Sequence, residues 1–350
     1  MSELTPVILD VDTGIDDALA LLYACASPAA DIVAVTCVAG NVDARQVAAN
    51  TLAVLELAGR DDVEVALGRE VPLVRELRTT PETHGPRGLG YAELPPARRP
   101  LSPRHAADLL IEEARRRPGE ITLVTLGPLT NLAIAVLREP ALPHLLRRLV
   151  LMGGSYRSPG NTAPTTEWNM TVDPEAAKVV LSALGASDLP ARPLALGLDV
   201  TERAKFTPDH LSRLTERGVG PPGGSCRPEG SMDDIAQHPM LLFIADALRH
   251  YMEFHSRFDG FYGAFLHDPL AVAVALDPTL ARTEALTVDI ELGGTLTTGE
   301  TVADWRRTWG RPPNLDLCVQ VDAETFMERF INRVGDLAQR LTRRPSDVAS

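Results

Sequence analysis

The sequence has few cysteines, few lysines and no long apolar run. Its 350 residues include only four cysteines, Cys25, Cys37, Cys226 and Cys318, which are widely spaced and form no C-x-x-C pair. This spacing suits neither a disulfide scaffold nor a zinc site, so a reducing cytoplasm is the expected location. No stretch of about 18 apolar residues occurs, and the N-terminus lacks the segments of a signal peptide. We therefore expect neither membrane insertion nor secretion.

Positive charge is scarce as well. The chain has 34 Lys and Arg against 47 Asp and Glu, which gives a formal net charge of −13. A surface of this sign does not attract phosphate backbones or anionic membranes, so nucleic acid and membrane partners are not expected. A small-molecule partner is favoured instead. Lys178 and Lys205 are the only lysines, which limits lysine-based mechanisms.

Short apolar runs rich in β-branched residues alternate with helical patterns. Strands are predicted at Val7–Val11, Ile32–Ala39, Val63–Ala66, Ile121–Leu126 and Leu149–Met152, and helices between them at 16–26, 43–59, 103–117, 129–138 and 174–184. Later helices are predicted near 234–256, 268–276 and 323–342, and strands at 284–291 and 316–321. The alternation predicts a Rossmann-like α/β domain with a mostly parallel central sheet flanked by helices. Its active site is expected at the carboxyl ends of the strands.

The chain is predicted to form one α/β domain over residues 1–343, with a C-terminal tail at 344–350. Between Gly218 and Gly230, eight of thirteen residues are Gly or Pro. This composition predicts a mobile loop over 217–233, which we interpret as a candidate lid.

An acidic cluster follows the first predicted strand, in the run ILDVDTGIDDALALL. Its members are Asp10, Asp12, Asp16 and Asp17. Acidic residues in a first helical turn complement the helix dipole, but that explains only two of the four carboxylates. The others are costly to keep ionised in a partly dry cleft unless a cation neutralises them. The cluster therefore predicts a divalent metal site, and an all-oxygen ligand set that includes backbone carbonyls favours Ca²⁺.

A second class of enzyme also carries an aspartate-rich first strand. Phosphatases of the haloacid-dehalogenase type have the motif D-x-D-G-T and a downstream lysine, whereas here Asp12 is followed by Thr13 and Gly14, in the inverted order. A Mg²⁺-dependent phosphatase of this type is therefore an alternative. A catalytically silent protein that binds ribose or nucleosides is another.

The run DVDTGIDDALALL closely resembles the N-terminal signature D-x-D-x-G-x-D-D of the inosine-uridine-preferring nucleoside hydrolases, a family of calcium-dependent N-ribohydrolases. Further segments match in the family's order, so the resemblance covers nearly the whole chain. They are Ala39-Gly40-Asn41, Thr83-His84-Gly85, Leu126 to Asn131, Met152-Gly153-Gly154, Asn161 with Glu167-Trp168-Asn169, Asp173 to Ala176, and His267-Asp268-Pro269. The resemblance implies purine and pyrimidine salvage by a homodimer or homotetramer.

The resemblance also implies a metal site and a ribose site. The implied calcium ligands are Asp12, Asp17, Asp268 and the backbone carbonyl of Leu126. The implied ribose-hydroxyl ligands are Asp16, Asn41, Asn161, Glu167, Asn169 and Asp268. Amide and carboxylate groups suit this task because a sugar presents several hydroxyls that need both donors and acceptors.

Fewer residues are implied on the side of the base. The resemblance makes His267 the residue that assists departure of the base. His84 is a substrate-binding candidate, although Arg87 replaces the acidic residue often found near it. Trp168 stands where the family commonly has a smaller aromatic ring, which predicts an apolar wall under the sugar or base. Tyr262 receives no role.

Three other histidines lie on a predicted helix and carry no predicted function. His238, His250 and His255 have no acidic partner at metal-ligand spacing. Solvated helix positions are therefore predicted for all three.

The implied reaction is hydrolysis of the N-glycosidic bond of ribonucleosides to free base and ribose. It requires stabilisation of an oxocarbenium-like ribosyl cation, activation of water and neutralisation of the departing base. The resemblance implies that Asp12 removes a proton from a Ca²⁺-bound water and that His267 assists the base. The preferred base does not follow from the sequence.

Overall fold

The computed structural model describes residues 4–185, 189, 191–220 and 238–342. Its strands are β1 Thr5–Val11, β2 Ala30–Cys37, β3 Glu64–Leu67, β4 Thr122–Thr125, β5 Arg148–Met152, β6 Leu194–Leu196, β7 Lys205–Phe206, β8 Ala264–Phe265, β9 Ala281–Leu286, β10 Val288–Ile290, β11 Thr301–Ala303 and β12 Leu315–Val321. Its helices are α1 Ile15–Ala26, α2 Ala44–Leu57, α3 Pro81–His84, α4 Ala106–Arg116, α5 Thr130–Arg138, α6 Leu142–Leu145, α7 Trp168–Val172, α8 Pro174–Leu184, α9 Leu198–Thr201, α10 Pro208–Val219, α11 Pro239–Phe258, α12 His267–Leu276 and α13 Ala323–Thr342. A 3₁₀ turn spans Pro278–Leu280.

Eight strands form the central sheet, in the order β3-β2-β1-β4-β5-β6-β12-β9. The strands from β3 to β12 pair in parallel, and only the edge strand β9 runs antiparallel to its neighbour. Two small antiparallel ribbons, β10 with β11 and β7 with β8, lie beside the sheet. The prediction of a single α/β domain with a mostly parallel sheet is confirmed.

The two faces of β1 show how the sheet builds its core. Val7, Leu9 and Val11 pack into one hydrophobic cluster, whereas Ile8 packs into the cluster on the opposite face. Successive side chains of a strand alternate between the faces of a sheet, so a central strand covered on both sides is apolar at nearly every position. Polar side chains are therefore accommodated only near the end of β1.

The prediction of one strand over 284–291 was wrong. The chain leaves the main sheet after Leu286, and β10 begins at Val288 in a separate ribbon. At this point the side chain of Asn314 supplies the partners that a neighbouring strand would supply: its amide oxygen accepts from the Val288 N–H at 2.8 Å, and its amide nitrogen donates to the Val288 carbonyl at 2.9 Å.

Two predicted segments fall partly or wholly outside the described residues. Of the loop predicted at 217–233, the part up to Val219 belongs to α10, and Gly220 ends that helix with a φ of 75°; residues 221–233 are not among those described. The predicted boundary between residues 343 and 344 is also not described. None of the described helices combines the length and apolar character needed to cross a membrane.

Candidate active site

The acidic cluster lies at the carboxyl end of β1, where the chain turns into α1. The carboxylate of Asp17 accepts hydrogen bonds from the backbone N–H of Gly14 at 2.9 Å and of Asp12 at 3.1 Å. A Cβ atom on Gly14 would lie 2.6 Å from Nδ1 of His84 and 2.7 Å from Nδ2 of Asn41. Glycine is required here because side chains from two other loops reach the turn.

Asp12 lies in a slot formed by two glycines. Its Oδ2 accepts from the backbone N–H of Asn41 at 2.9 Å. A Cβ atom on Gly127 would lie 2.8 Å from its Oδ1, and one on Gly40 would overlap its carboxylate. The loops that follow β2 and β4 therefore hold this side chain from both sides, which fixes its orientation.

Three buried carboxylates lie close enough to share one cation. Within the part of the chain that the structure describes, oxygens of Asp16, Asp17 and Asp268 all lie within 4.8 Å of one another. The predicted ligand set differs in containing Asp12, and not Asp16, beside Asp17 and Asp268. The Leu126 carbonyl, the fourth predicted ligand, accepts from the Asn169 amide at 2.6 Å.

The electrostatics of the cluster favour a cation. Burial and the neighbouring carboxylates raise the pKa values of Asp12 and Asp268, and they raise that of Asp16 to about 8. Burial alone raises the pKa of Asp17, against hydrogen bonds that lower it. These groups bind protons readily because no cationic side chain of the described residues offsets the cost of burying their charge. An ion with a preference for oxygen ligands would replace those protons, so the donor set fits a hard divalent cation. The site can therefore hold a metal ion.

Asp10, the first member of the acidic cluster, has partners that differ from those of the other three. Its Oδ1 accepts from the Thr36 hydroxyl at 2.6 Å and from the Asn131 amide at 2.8 Å. These contacts tie β1 to β2 and to α5, which indicates a structural role for Asp10.

The amide and carboxylate residues predicted to bind ribose lie along the same cavity. Glu167 caps α7: its carboxylate accepts from the backbone N–H groups of Gly154 and Asn169 at 2.9 Å and of Met170 at 3.2 Å. The amide oxygen of Asn41 is buried and has no hydrogen-bond partner in the part of the chain that the structure describes. Asn161 is exposed, and its amide oxygen accepts from the Trp168 N–H at 3.0 Å.

A cavity of about 490 Å³ brings most of the predicted site residues together. Those that line it are Asp12, Asp16, Asn41, His84, Leu126, Asn161, Glu167, Trp168, Asn169, His267 and Asp268. Asp17 is fully buried and lies below the cavity lining. Arg87 and Tyr262 are exposed and do not line it. The individual roles of the cavity-lining residues stay predictions.

An aromatic wall that the sequence reasoning missed completes the cavity. We define it as Tyr251, Phe254, His255 and Phe258 of α11 together with Phe265 of β8. The α11 members recur every three or four residues, so they share one face of the helix. This spacing is visible in the sequence, but so regular an apolar pattern also describes an ordinary core-facing helix.

The prediction of solvated positions for His238, His250 and His255 was wrong for two of them. His238 and His255 are each only 5% exposed, and His250 is half-buried. His238 caps the start of α11 by accepting from the Leu241 N–H. His255 lines the cavity and pairs with Asp259, an acidic residue one helical turn further on. The i, i+4 spacing of that pair was the signal that could have revealed it.

His84 and His267 lie where the acidic cluster meets the aromatic wall. His84 accepts from the Ile15 N–H at 3.1 Å, and its ring centroid lies 5.6 Å from that of Tyr251. His267 precedes Asp268, and its ring centroid lies 5.6 Å from that of Phe265. Burial lowers the pKa of both histidines to about 3, so both rings are neutral near pH 7.

A family profile described as inosine-uridine preferring nucleoside hydrolase matches residues 7–328. The inosine-uridine preferring nucleoside hydrolase of Leishmania major is 37% identical over 337 residues, which cover 94% of this chain and 98% of that protein. The pyrimidine-specific ribonucleoside hydrolase RihA of Enterobacter sp. (strain 638) is 36% identical over 337 residues, which cover 96% of this chain and 99% of that protein. The solved structure of the purine-preferring ribonucleoside hydrolase from Gardnerella vaginalis matches with a TM-score of 0.85 at 30% identity, covering 96% of this chain and 100% of that one.

The chain therefore belongs to the inosine-uridine preferring nucleoside hydrolase family. It is a hydrolase of N-glycosyl compounds that cleaves the N-glycosidic bond of ribonucleosides. The sequence-based prediction of this family and this reaction is confirmed.

Proposed function

We propose that the protein releases ribose and free base from ribonucleosides with the help of Ca²⁺ held by the acidic cluster. The observation that carries this proposal is the junction of two surfaces in one cavity: buried carboxylates and amides on one side, and aromatic rings on the other. A nucleoside has the same two parts, a polyhydroxylated sugar and a flat base. Calcium, when bound, would supply positive charge that orients and acidifies the attacking water.

Asp12 is the proposed general base. It is buried, lines the cavity and is oriented by the Asn41 N–H and the two flanking glycines. An ionised carboxylate in this position can accept the proton of a water at the anomeric carbon. Its neighbours Asp16 and Asp268 contribute the negative potential that favours the developing ribosyl cation.

The ribose hydroxyls are proposed to bind between the acidic cluster and α7. The unpartnered amide oxygen of Asn41 is available to accept a hydroxyl proton. Glu167 and Asn169 are fixed in place by backbone contacts, so they present donors and acceptors without reorganisation. This arrangement favours a sugar with free hydroxyls.

His267 is proposed to assist the departing base as a neutral hydrogen-bond donor. Its Nδ1 lies 2.8 Å from the Thr201 hydroxyl. The Thr201 hydroxyl can donate its one proton either to this nitrogen or to the Gly197 carbonyl, which lies 3.2 Å away. When it donates to Nδ1, the ring proton of a neutral His267 lies on Nε2, from which it can reach a base nitrogen. His84, whose Nδ1 accepts from the Ile15 N–H, likewise carries its proton on Nε2 and is a second donor at this junction.

The phosphatase alternative lacks its lysine. Lys178 pairs with Asp289, and Lys205 lies over the ring of Phe261; neither lies on the cavity wall. Only a measurement of activity distinguishes the enzyme from the other alternative, a catalytically silent ribose-binding protein.

A panel assay tests the proposal directly. Purine and pyrimidine nucleosides would be incubated with the enzyme in Ca²⁺ and assayed for free ribose, with the matching nucleotides and p-nitrophenyl phosphate as controls. Ribose release from nucleosides supports the proposal. Phosphate release would favour the phosphatase, and binding without either product would favour the silent protein.

The remaining predictions concern the setting in which the enzyme works. A homodimer or homotetramer is proposed from the family resemblance, and sedimentation velocity would measure it. A cytoplasmic location is proposed because the cysteines are few and widely spaced.

A further inference from the structure

His255 and Asp259 form a pair at the aromatic wall. Nδ1 of His255 lies 2.6 Å from Oδ2 of Asp259, one turn further along the chain at the end of α11. The His255 side chain is 6% exposed, whereas that of Asp259 is 43% exposed. Both residues line the cavity. The pair therefore joins a buried ring to a carboxylate that reaches solvent.

This contact determines which ring nitrogen of His255 carries the proton. A carboxylate only accepts hydrogen bonds, so the short contact requires a proton on Nδ1. Burial lowers the pKa of His255, despite an opposing effect of Asp259, so the ring is neutral near pH 7. In a neutral ring with its proton on Nδ1, the other nitrogen is an acceptor. Nε2 of His255 therefore presents a lone pair.

That lone pair has no partner among the described residues. Nε2 of His255 is buried and makes no hydrogen bond to any of them. Phe265 and Phe254, whose ring centroids lie at 4.8 Å and 5.3 Å, carry no donor, and the hydroxyl of Tyr251, whose ring centroid lies at 4.5 Å, makes no hydrogen bond to Nε2. A buried acceptor without a donor is costly, so such atoms usually have a function or a ligand. The cavity that His255 lines is where a ligand would enter.

We infer that His255, held by Asp259, accepts a hydrogen bond from an N–H group of the substrate base and so contributes to base specificity. The inference rests on the proposed function. The aromatic wall around His255 suits a flat base, whereas the hydroxyls of the sugar have their partners in the acidic cluster and α7. Suitable donors are the ring N–H of uracil and that of hypoxanthine. Asp259 is a positioning residue because it acts through His255.

Pairs of substrates that differ in one N–H test the inference. Values of kcat/KM would be measured for uridine against 3-methyluridine and for inosine against 1-methylinosine. We expect the wild type to prefer the unmethylated member of at least one pair by roughly 10- to 100-fold, because an acceptor built for a donor rejects a substrate that lacks it. In His255→Ala, which removes the acceptor and leaves room for the methyl group, that ratio should fall towards one.

Three further variants separate this role from a structural one. His255→Gln retains a carbonyl acceptor and should restore much of the ratio. Asp259→Ala should lower the ratio in part, because the proton of His255 is then free to move to Nε2. His250→Ala, on the same helix but away from the cavity lining, is the matched control and should leave the ratio unchanged. Melting temperatures would verify that each variant folds.

The outcomes distinguish the inference from the proposed function. A wild-type ratio near one for both pairs would overturn the inference, as would a large ratio that persists in His255→Ala. If the wild type released no ribose from any nucleoside, the proposed function would fall and the inference with it. Collapse of the ratio in His255→Ala with recovery in His255→Gln would support it.

Discussion

The two sides of the cavity differ in how the chain builds them. The acidic side comes from loops at the carboxyl ends of β1, β2 and β4 and from the starts of α1 and α12, so its side chains are held by backbone hydrogen bonds and close glycine contacts. The aromatic wall comes mainly from one face of α11 and has few polar contacts. Chemistry on a sugar needs fixed carboxylates, whereas a base can be held by apolar surface and one or two directed hydrogen bonds.

The largest expected effect comes from the acidic side. We predict that Asp12→Asn nearly abolishes ribose release while largely preserving the fold, because an amide has a similar shape but cannot accept the proton of water. The loss of a general base costs roughly 10²–10⁴-fold, and disturbance of the metal adds to it. Asp108→Asn is the matched control: Asp108 is half-buried, pairs with Arg138 and does not line the cavity. A near wild-type rate of ribose release by Asp12→Asn would remove Asp12 from the mechanism.

His267 tests the junction between the two sides. We predict that His267→Ala lowers kcat/KM for inosine by roughly 10²–10⁴-fold, the usual contribution of acid catalysis. Hydrolysis of p-nitrophenyl riboside should fall much less, because its leaving group needs little assistance. Equal losses on both substrates would instead indicate that His267 positions the sugar or supports the pocket, and His84 would become the leading donor.

Removal of calcium should affect stability as well as activity. Without the ion, the carboxylates of Asp16, Asp17 and Asp268 repel one another in a buried site. A ligand present at 100 times its Kd contributes roughly 2.7 kcal/mol to the native state, so exhaustive dialysis against EGTA should lower the melting temperature and abolish turnover. An unchanged melting temperature and activity would contradict a metal site. Recovery of ribose release with magnesium alone would contradict the choice of Ca²⁺ but not the metal site.

A smaller effect is expected at the edge of the aromatic wall. Burial and the nearby carboxylates of Asp259 and Asp199 raise the pKa of Glu202 from 4.5 to about 7. A raised pKa in the folded state means that this group favours folding below pH 4.5 and that the contribution is lost as pH rises towards 7. Since Glu202 is partly exposed, the loss should be on the order of 1 kcal/mol after solvent screening.

The variant Glu202→Gln measures that contribution. Denaturant melts of the wild type and the variant would be compared near pH 5 and pH 8. The wild type should lose more stability between these values than the variant, which has no group to ionise at position 202. Equal losses in the two proteins would show that Glu202 titrates normally.

The same contrast explains what the sequence could predict. The acidic side depends on short motifs such as Asp12 to Asp17 and His267-Asp268, and the parallel sheet brings their strand ends together, so both fold and carboxylates were predictable. The aromatic wall depends on which face of α11 points inward, and that choice is made by packing between distant segments. The i, i+4 spacing of His255 and Asp259 is visible in the sequence, but the burial of His255 could not be predicted from it. The close group of three carboxylates contains Asp16 where the sequence predicted Asp12, and this difference likewise depends on side-chain orientation.

Because α11 supplies most of the aromatic wall, this helix has a consequence for evolution. Under the proposed assignment, substitutions at four positions on one helical face should change the preferred base while the proposed catalytic carboxylates, which belong to other elements, stay unchanged. The substrate range of such an enzyme can therefore change in evolution while its hydrolytic mechanism is retained. Transplanting the residues at positions 251, 254, 255 and 258 between members of the family would exchange their base preferences with little loss of rate on the sugar.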